Sequence, residues 1–187
     1  MTTATTFAGF GGQGVLVMGY VLCHGAMLKG LNVTYFPAYG TEMRGGTANC
    51  TVIVSEKKIA SPVASHPDIL VAMNYPSLAK FESSVKEGGL VFINSSLIDA
   101  SPERQDITPV SVPIGELARE LGSDRQANMI MIGAIMAKTG LLSLKETELG
   151  MKAALKGKEK FFRANMAAIE RGAQYIRTSN TKAPSRK

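Results

Sequence analysis

The first residues whose spacing suits chemistry are glycines close to the amino terminus. Gly9, Gly11 and Gly14 are spaced as G-x-G-x-x-G. Between a strand and a helix, this pattern brings backbone N–H groups to a helix N-terminus, where they can hold a phosphate. A dinucleotide site also needs an acidic residue about 20 positions further on, and the first one after these glycines is Glu42. The pattern therefore predicts an anion site or a close helix–strand contact, and only weakly a nicotinamide or flavin site. The candidate residues of this glycine loop are Gly9, Gly11, Gly12, Gln13 and Gly14.

A second segment, residues 39–46, places three glycines around one carboxylate and one guanidinium. Functional residues concentrate in loops of this kind. If the segment follows the carboxyl end of a strand, it lies beside the glycine loop at the edge where α/β sheets bind ligands, and Arg44 can bind a phosphate or carboxylate. The alternative is a Glu42–Arg44 ion pair worth under ~1 kcal/mol that only holds a turn. The candidate residues are Tyr39, Gly40, Glu42, Arg44, Gly45 and Gly46.

No complete catalytic set accompanies these loops. The two histidines, His24 and His66, lack a second histidine at ligand spacing. The two cysteines, Cys23 and Cys50, stand in apolar stretches, which is typical of buried thiols. They do not form a C-x-x-C motif, and two cysteines are too few ligands for a zinc or iron–sulfur site. Two cysteines also favour a reducing compartment.

The elements that position the loops alternate between strand and helix. The first 36 residues predict a β-α-β unit, which implies parallel strands and a right-handed crossover. The segment 127–138 is apolar on all sides and should lie inside the fold, while the last helix carries an a/d-like stripe that should pack on this chain's own sheet. We predict strands at 3–10, 31–36, 48–54, 68–73, 90–94 and 110–112, and helices at 13–29, 75–86, 113–121, 127–138, 144–156 and 158–176.

Length and composition agree with an α/β protein of one domain. The 187 residues are 45% apolar and carry a net charge of +6. The charge is uneven: residues 1–150 hold 11 basic and 13 acidic side chains, and residues 151–187 hold 10 and 2. No apolar run approaches the ~18 residues of a membrane span, so we expect a cytoplasmic protein with no membrane contact. We predict a single domain over residues 1–178 and a basic, flexible tail over residues 179–187.

The two loops, followed by Ser61-Pro62 and Pro67-Asp68, resemble the gamma subunits of 2-oxoacid:ferredoxin oxidoreductases over roughly residues 7 to 180. The Tyr-Gly-x-Glu-x-Arg-Gly-Gly form is most similar to the 2-oxoglutarate and 2-oxoisovalerate branch. Thr41 departs from that branch, which often has proline there, and this weakens any inference about the substrate. The resemblance implies a three-layer α/β/α fold on a mostly parallel, Rossmann-like sheet with C-terminal helices, similar to domain III of pyruvate:ferredoxin oxidoreductase.

The resemblance further implies a subunit, without catalytic residues or metal of its own, of an enzyme that oxidatively decarboxylates a 2-oxoacid, acylates coenzyme A and reduces ferredoxin. The favoured substrate is 2-oxoglutarate, then branched-chain 2-oxoacids, then pyruvate. By this resemblance, thiamine diphosphate, Mg²⁺ and iron–sulfur clusters belong to partner subunits of alpha, beta and delta type. The isolated chain is expected to be inactive and able to form a homodimer. The two loops would contact coenzyme A or only a partner subunit.

Two other classes of protein remain open at this stage. A stand-alone nucleotide-binding module would need only the glycine loop and this chain. A nucleic-acid module would use the basic end, but the late basic run lacks the interleaved aromatic residues typical of such surfaces, so no nucleic acid is expected. Contact of the basic end with an acidic partner subunit or with ferredoxin is the sharper hypothesis.

Overall fold

The computed structural model describes residues 1–39 and 46–181. In this part of the chain six strands and six α-helices alternate along most of the sequence. The strands are β1 (Thr2–Phe10), β2 (Asn32–Tyr39), β3 (Thr47–Ser55), β4 (Ile69–Ala72), β5 (Leu90–Asn94) and β6 (Thr108–Val112). The helices are α1 (Val15–Leu28), α2 (Tyr75–Phe81), α3 (Ile114–Glu120), α4 (Ala127–Thr139), α5 (Leu144–Ala154) and α6 (Phe162–Thr181).

All six strands form one sheet in the order β2-β3-β1-β4-β5-β6. Strand β3 runs antiparallel to both β1 and β2, while β1, β4, β5 and β6 are parallel neighbours. The predicted mostly parallel α/β sheet is therefore confirmed. The β-α-β prediction is wrong in one respect, because β1 and β2 point the same way but β3 is inserted between them.

Several predicted boundaries also differ from the structure. Strand β2 continues through Pro37 to Tyr39. Proline has no N–H to donate, and an edge strand tolerates it because one of its sides has no neighbouring strand. The helix predicted over 75–86 stops at Phe81 and continues as one 3₁₀ turn. Helix α6 continues to Thr181, past the predicted end at 176 and into the first three residues of the predicted tail. Residues 182–187 lie outside the described residues, so their flexibility stays a prediction.

Two apolar clusters lie on opposite faces of the sheet, because side chains alternate along each strand. Ile69 and Val71 of β4 face the larger cluster, together with α1, α4 and α6. Leu70 and Ala72 face the smaller cluster, which includes Leu78 of α2. The sheet therefore has helices on both sides, as the three-layer prediction requires.

The C-terminal helices pack as predicted from their apolar patterns. Every residue of α4 from Met129 to Met136 is buried. In α6, Ile169, Ala173 and Ile176 are buried, and the stripe packs against this chain's own core. The helices cross closely, since a Cβ on Gly133 of α4 would strike the Ile169 carbonyl, and one on Gly172 of α6 would strike the Ile130 carbonyl. Within the described ranges, no helix combines the length and apolarity that a membrane span needs.

Candidate functional site

The glycine loop makes a tight turn from β1 into α1. Gly12 has a φ of 102° and Gly14 a φ of 74°, both in the left-handed region that favours glycine. Gly14 is the N-cap of α1, and a Cβ there would also collide with the side chain of Asn128. The glycines are therefore required by the backbone conformation of the turn, and Gly14 supplies no side-chain cap to the first-turn N–H groups of α1.

Part of the loop's hydrogen-bonding capacity is used inside the fold. The Gly11 N–H donates to the carbonyl of Gly46 at 2.9 Å, and the Gln13 N–H donates to Phe10 at 3.1 Å. Since Gly46 leads into β3, the first bond ties the glycine loop to the start of the antiparallel strand. The predicted adjacency of the two loops is thus observed at Gly46.

Gln13 fastens the loop to β4, although the sequence suggested it as a ligand-binding residue. Its Oε1 accepts from the Phe10 N–H at 2.7 Å and from Asn74 Nδ2 at 2.9 Å. Its Nε2 donates to the Met73 carbonyl at 3.1 Å, and Asn94 Nδ2 donates to the same carbonyl at 3.1 Å. This amide network joins the ends of β1, β4 and β5, so Gln13 is a positioning residue for the loop.

The structure describes the remaining predicted residues only in part. Gly9 lies where a Cβ would crowd Gln13, Val15 and Met73, so its role is close packing. Gly12 has open space around its Cβ position. For Tyr39 only the backbone position at the end of β2 is described. Gly40, Glu42, Arg44 and Gly45 lie outside the described residues.

A cleft of about 410 Å³ opens beside the glycine loop at the carboxyl ends of the parallel strands. The chain leaves β1 toward one side of the sheet and β4 toward the other, so this is the switch point where α/β sheets bind ligands. Its lining includes Gly12, Gln13, Gly14, Met73, Asn94, Ser96, Leu97, Ile114, Gly115, Arg119, Asp124, Arg125, Ala127 and Asn128.

The far wall of the cleft supplies charged groups that the sequence did not suggest. Arg119 lies 3.3 Å from Glu116, and the Ser96 hydroxyl donates to the same carboxylate. The bond from Ser96 is the main reason that the pKa of Glu116 is lowered, so it stays ionised. Arg125 is exposed beside Asp124 at the same cleft. The cleft therefore offers the exposed Arg125 guanidinium and a helix N-terminus within one opening, which can bind an anion. Arg119 is engaged by Glu116, and the Asp124 carboxylate also lines the cleft.

The thiols are not arranged as nucleophiles. Cys50 is buried beneath α1, its Sγ lies 3.5 Å from the Val15 carbonyl, and burial raises its pKa to about 12. Burial also raises the pKa of the half-exposed Cys23 thiol. Among the described residues, His, Cys, Asp and Glu side chains do not gather in threes at a metal-binding geometry.

Comparison with known proteins adds a family assignment to this geometry. The sequence profile of the family described as "Pyruvate ferredoxin/flavodoxin oxidoreductase" matches residues 4–175. The chain is 40% identical over 172 residues to ketoisovalerate oxidoreductase subunit VorA of Methanothermobacter marburgensis, covering 91% of this chain and 36% of that protein. It is 36% identical over 152 residues to 2-oxoglutarate synthase subunit KorC of the same organism, covering 78% and 82%. The chain thus spans about a third of the length of the ketoisovalerate relatives and most of the KorC relatives.

Solved structures share this fold. The gamma subunit of keto/oxoacid ferredoxin oxidoreductase from Geobacter sulfurreducens matches with a TM-score of 0.81 and 25% identity, covering 94% of this chain and 99% of that one. The 2-oxoglutarate:ferredoxin oxidoreductase from Magnetococcus marinus matches with a TM-score of 0.85 and 22% identity, covering 95% of this chain and 31% of that one.

Proposed function

Since the chain belongs to the pyruvate ferredoxin/flavodoxin oxidoreductase family, we propose that it is the gamma subunit of a multi-subunit 2-oxoacid:ferredoxin oxidoreductase. The observation that carries the proposal is the similarity to KorC, a subunit of comparable length, over 82% of that protein. The complex would oxidatively decarboxylate a 2-oxoacid, transfer the acyl group to coenzyme A and reduce ferredoxin, and the isolated chain would be inactive.

For the substrate we propose 2-oxoglutarate first, a branched-chain 2-oxoacid second and pyruvate third. The similarity to KorC supports 2-oxoglutarate, while the higher identity, 40% against 36%, supports the substrate of the ketoisovalerate relatives. Purification of the native complex, followed by assays with each 2-oxoacid, coenzyme A and ferredoxin, separates these substrates. Failure of the chain to associate with any thiamine-binding subunit would refute the proposed function.

Thiamine diphosphate, Mg²⁺ and the iron–sulfur clusters would be held by partner subunits of alpha, beta and delta type. This chain's two cysteines do not fit a cluster, because Cys50 is buried with a raised pKa and only Cys23 reaches the surface. Two free thiols also suit the reducing cytoplasm, where we place the complex.

For the cleft we propose a role in positioning coenzyme A through its phosphates. The donors would be the N–H groups of Gly12, Gly14 and the first turn of α1, with Arg125 across the cleft and Arg44 from the second loop. The competing hypothesis is that the glycines only allow close approach of a partner subunit.

Two substitutions in the assembled enzyme separate these hypotheses. If the cleft binds coenzyme A, Arg44→Ala and Arg125→Ala raise its apparent KM while the complex stays intact. If the loops only form an interface, Arg44→Ala impairs assembly and the KM of the remaining complex is unchanged. Lys58→Ala, which removes an exposed positive charge after β3, is the matched control.

The exposed basic side chains between α5 and α6 are candidates for contact with an acidic partner subunit or ferredoxin. Lys156, Lys158, Lys160 and Arg163 are all exposed within this short stretch. Long-range attraction of this kind weakens with salt, because the Debye length shortens. Unchanged assembly and electron transfer at high salt would assign these charges to a solvated surface. Truncation beyond Thr181 tests Lys182, Arg186 and Lys187 in the same way.

A stand-alone nucleotide-binding module is the second candidate, and the cleft beside a glycine loop is the observation that favours it. Calorimetry of the isolated chain with NAD, FAD and GTP tests it directly. Micromolar binding of one of these to the chain alone would favour this alternative over a subunit.

A further inference from the structure

The solvent side of α1 carries no charged residue. From Met1 to Leu28 the chain contains no Asp, Glu, Lys or Arg. Yet Tyr20 is 44% exposed, Met27 56% and Leu28 60%. A surface helix normally has charged or polar residues on its solvent side, whereas a helix that is apolar all round is usually buried. Helix α1 therefore has the composition of a buried helix with one side uncovered.

These exposed side chains form one continuous surface, because they recur at helical spacing. Tyr20 stacks on Tyr35 of strand β2, with ring centroids 4.4 Å apart and planes inclined by 19°. Strand β2 is the edge of the sheet, so this aromatic pair stands at an open border. Tyrosine and methionine are enriched in the centres of protein interfaces, where charged residues are depleted. We define the α1 face as Leu16, Val17, Tyr20, Cys23, His24, Met27 and Leu28. The His24 ring stacks on Tyr20 with centroids 6.2 Å apart, and it is the one polar ring in this set besides the tyrosine.

We propose that the α1 face is the docking surface for the companion subunit that carries thiamine diphosphate, an inference that rests on the function proposed above. The occupant is a folded subunit with an apolar, charge-poor patch. A lipid surface is a poorer fit, since interfacial helices bring lysine and arginine to the headgroups.

The area of the face is one argument for this occupant. Tyr20, Met27 and Leu28 together present roughly 300 Å² of exposed side chain, whereas each partner in a standard interface contributes ~800 Å². The α1 face is then the apolar centre of a larger contact that continues onto adjoining surface. At its amino end α1 adjoins the glycine loop and the cleft, since Gly14 immediately precedes Val15. A partner that covers α1 is thereby brought to the edge of the candidate site.

The relatives supply the second argument. In the ketoisovalerate relative the region similar to this chain makes up 36% of one longer polypeptide. The equivalent domain is there attached covalently to a larger body. In the KorC relative of Methanothermobacter thermautotrophicus the similar region makes up 92% of the subunit, so a corresponding body would join it as a separate chain. An uncharged helix face suits such a permanent association, and a second copy of this chain would leave the larger body without a binding surface on α1.

A charge placed on the α1 face tests the proposal in the tagged full chain, expressed with its native partners. Met27→Lys combined with Leu28→Lys should leave the thermal midpoint of the isolated chain unchanged, because these side chains are 56% and 60% exposed. Thiamine diphosphate and 2-oxoacid-dependent activity recovered on the tag should fall at least tenfold. The matched control combines Val63→Lys with Tyr75→Lys, which are 56% and 55% exposed outside the α1 face, and should recover the wild-type amounts.

The outcomes distinguish this inference from the proposed function. If the wild-type chain recovers no thiamine-binding subunit, both fail. If the wild-type and the lysine variant recover it equally, only the α1 face is wrong. If the isolated chain is a dimer that the variant converts to a monomer while the complex still forms, a second copy covers the face and the inference is overturned.

A measurement on the wild-type chain keeps the test decisive if the variant does not fold. Cys23 lies on the α1 face, and the other cysteine, Cys50, is buried. Alkylation of Cys23 at alkaline pH should proceed in the isolated chain and slow at least tenfold in the assembled complex. Equal rates in both would refute the docking surface.

Discussion

The amide network around Gln13 predicts a measurable share of the stability of the glycine loop. Gln13→Met keeps the length of the side chain but removes the three hydrogen bonds to Phe10, Met73 and Asn74. At about 1 kcal/mol for each bond, and with the Phe10 N–H left without its acceptor, the free energy of unfolding should fall by about 2–3 kcal/mol. For a chain of this size that corresponds to roughly 5–10 °C in the thermal midpoint.

Urea unfolding of the isolated chain measures this loss, with the slope m expected to stay constant. Gln174→Met, on the exposed side of α6, is the matched control and should change stability by less than about 0.5 kcal/mol. If Gln13→Met unfolds at the wild-type urea midpoint, the network does not hold the loop. If stability is unchanged while the apparent KM for coenzyme A rises in the complex, Gln13 is a ligand-binding residue instead.

Three further predictions concern packing, buried polarity and pH. Gly172→Ala should lower the free energy of unfolding by about 1–2 kcal/mol, because overpacking against α4 outweighs the better helix propensity of alanine; a raised urea midpoint would contradict the close crossing. Thr5→Val should raise the thermal midpoint, since the fully buried Thr5 hydroxyl has no partner in the described structure. Thr6→Val should lower the thermal midpoint, since the Thr6 hydroxyl forms a hydrogen bond with the Thr51 hydroxyl at 3.0 Å. Burial raises the pKa of Cys50 from 9.0 to about 12, so stability should fall as pH rises through this window, when only the unfolded thiol ionises; Cys50→Ala should remove that part of the pH dependence.

The elements themselves could be predicted because their signals are local. Strand β5 begins and ends where the apolar run predicts, and α4 is buried along the whole stretch that lacks polar residues. The position of β3 could not be predicted in the same way. Strand pairing is set by contacts between distant residues, and alternating β-branched residues in 47–55 fit an edge or a central position equally well. The register that pairs Phe7 with Cys50 appears only when the sheet is assembled.

The candidate site, like the fold, could be predicted from the sequence only where its signals are local. The glycine loop could be found from spacing, because left-handed backbone at Gly12 and Gly14 is a local requirement. Arg119, Arg125 and Asn128 reach the cleft from a segment more than 100 residues further along the chain. Nothing in their own spacing indicates a site, since an arginine beside an acidic residue is typical of any exposed helix end. Only the strand order places that segment opposite the glycine loop.

The inserted strand also bears on what the glycine loop can hold. In a dinucleotide site the second strand lies beside the first and its end carries the acid that binds the ribose. Here β3 occupies that place, so the end of β2 lies two strand spacings from β1, about 10 Å away rather than about 5 Å. The Gly11 N–H is bonded to Gly46 at the start of β3. The turn thus has the left-handed glycines of the proposed phosphate site and lacks the neighbour that binds a nucleoside. A ligand whose phosphates are held here and whose remainder is recognised by another subunit fits this combination better than a dinucleotide does.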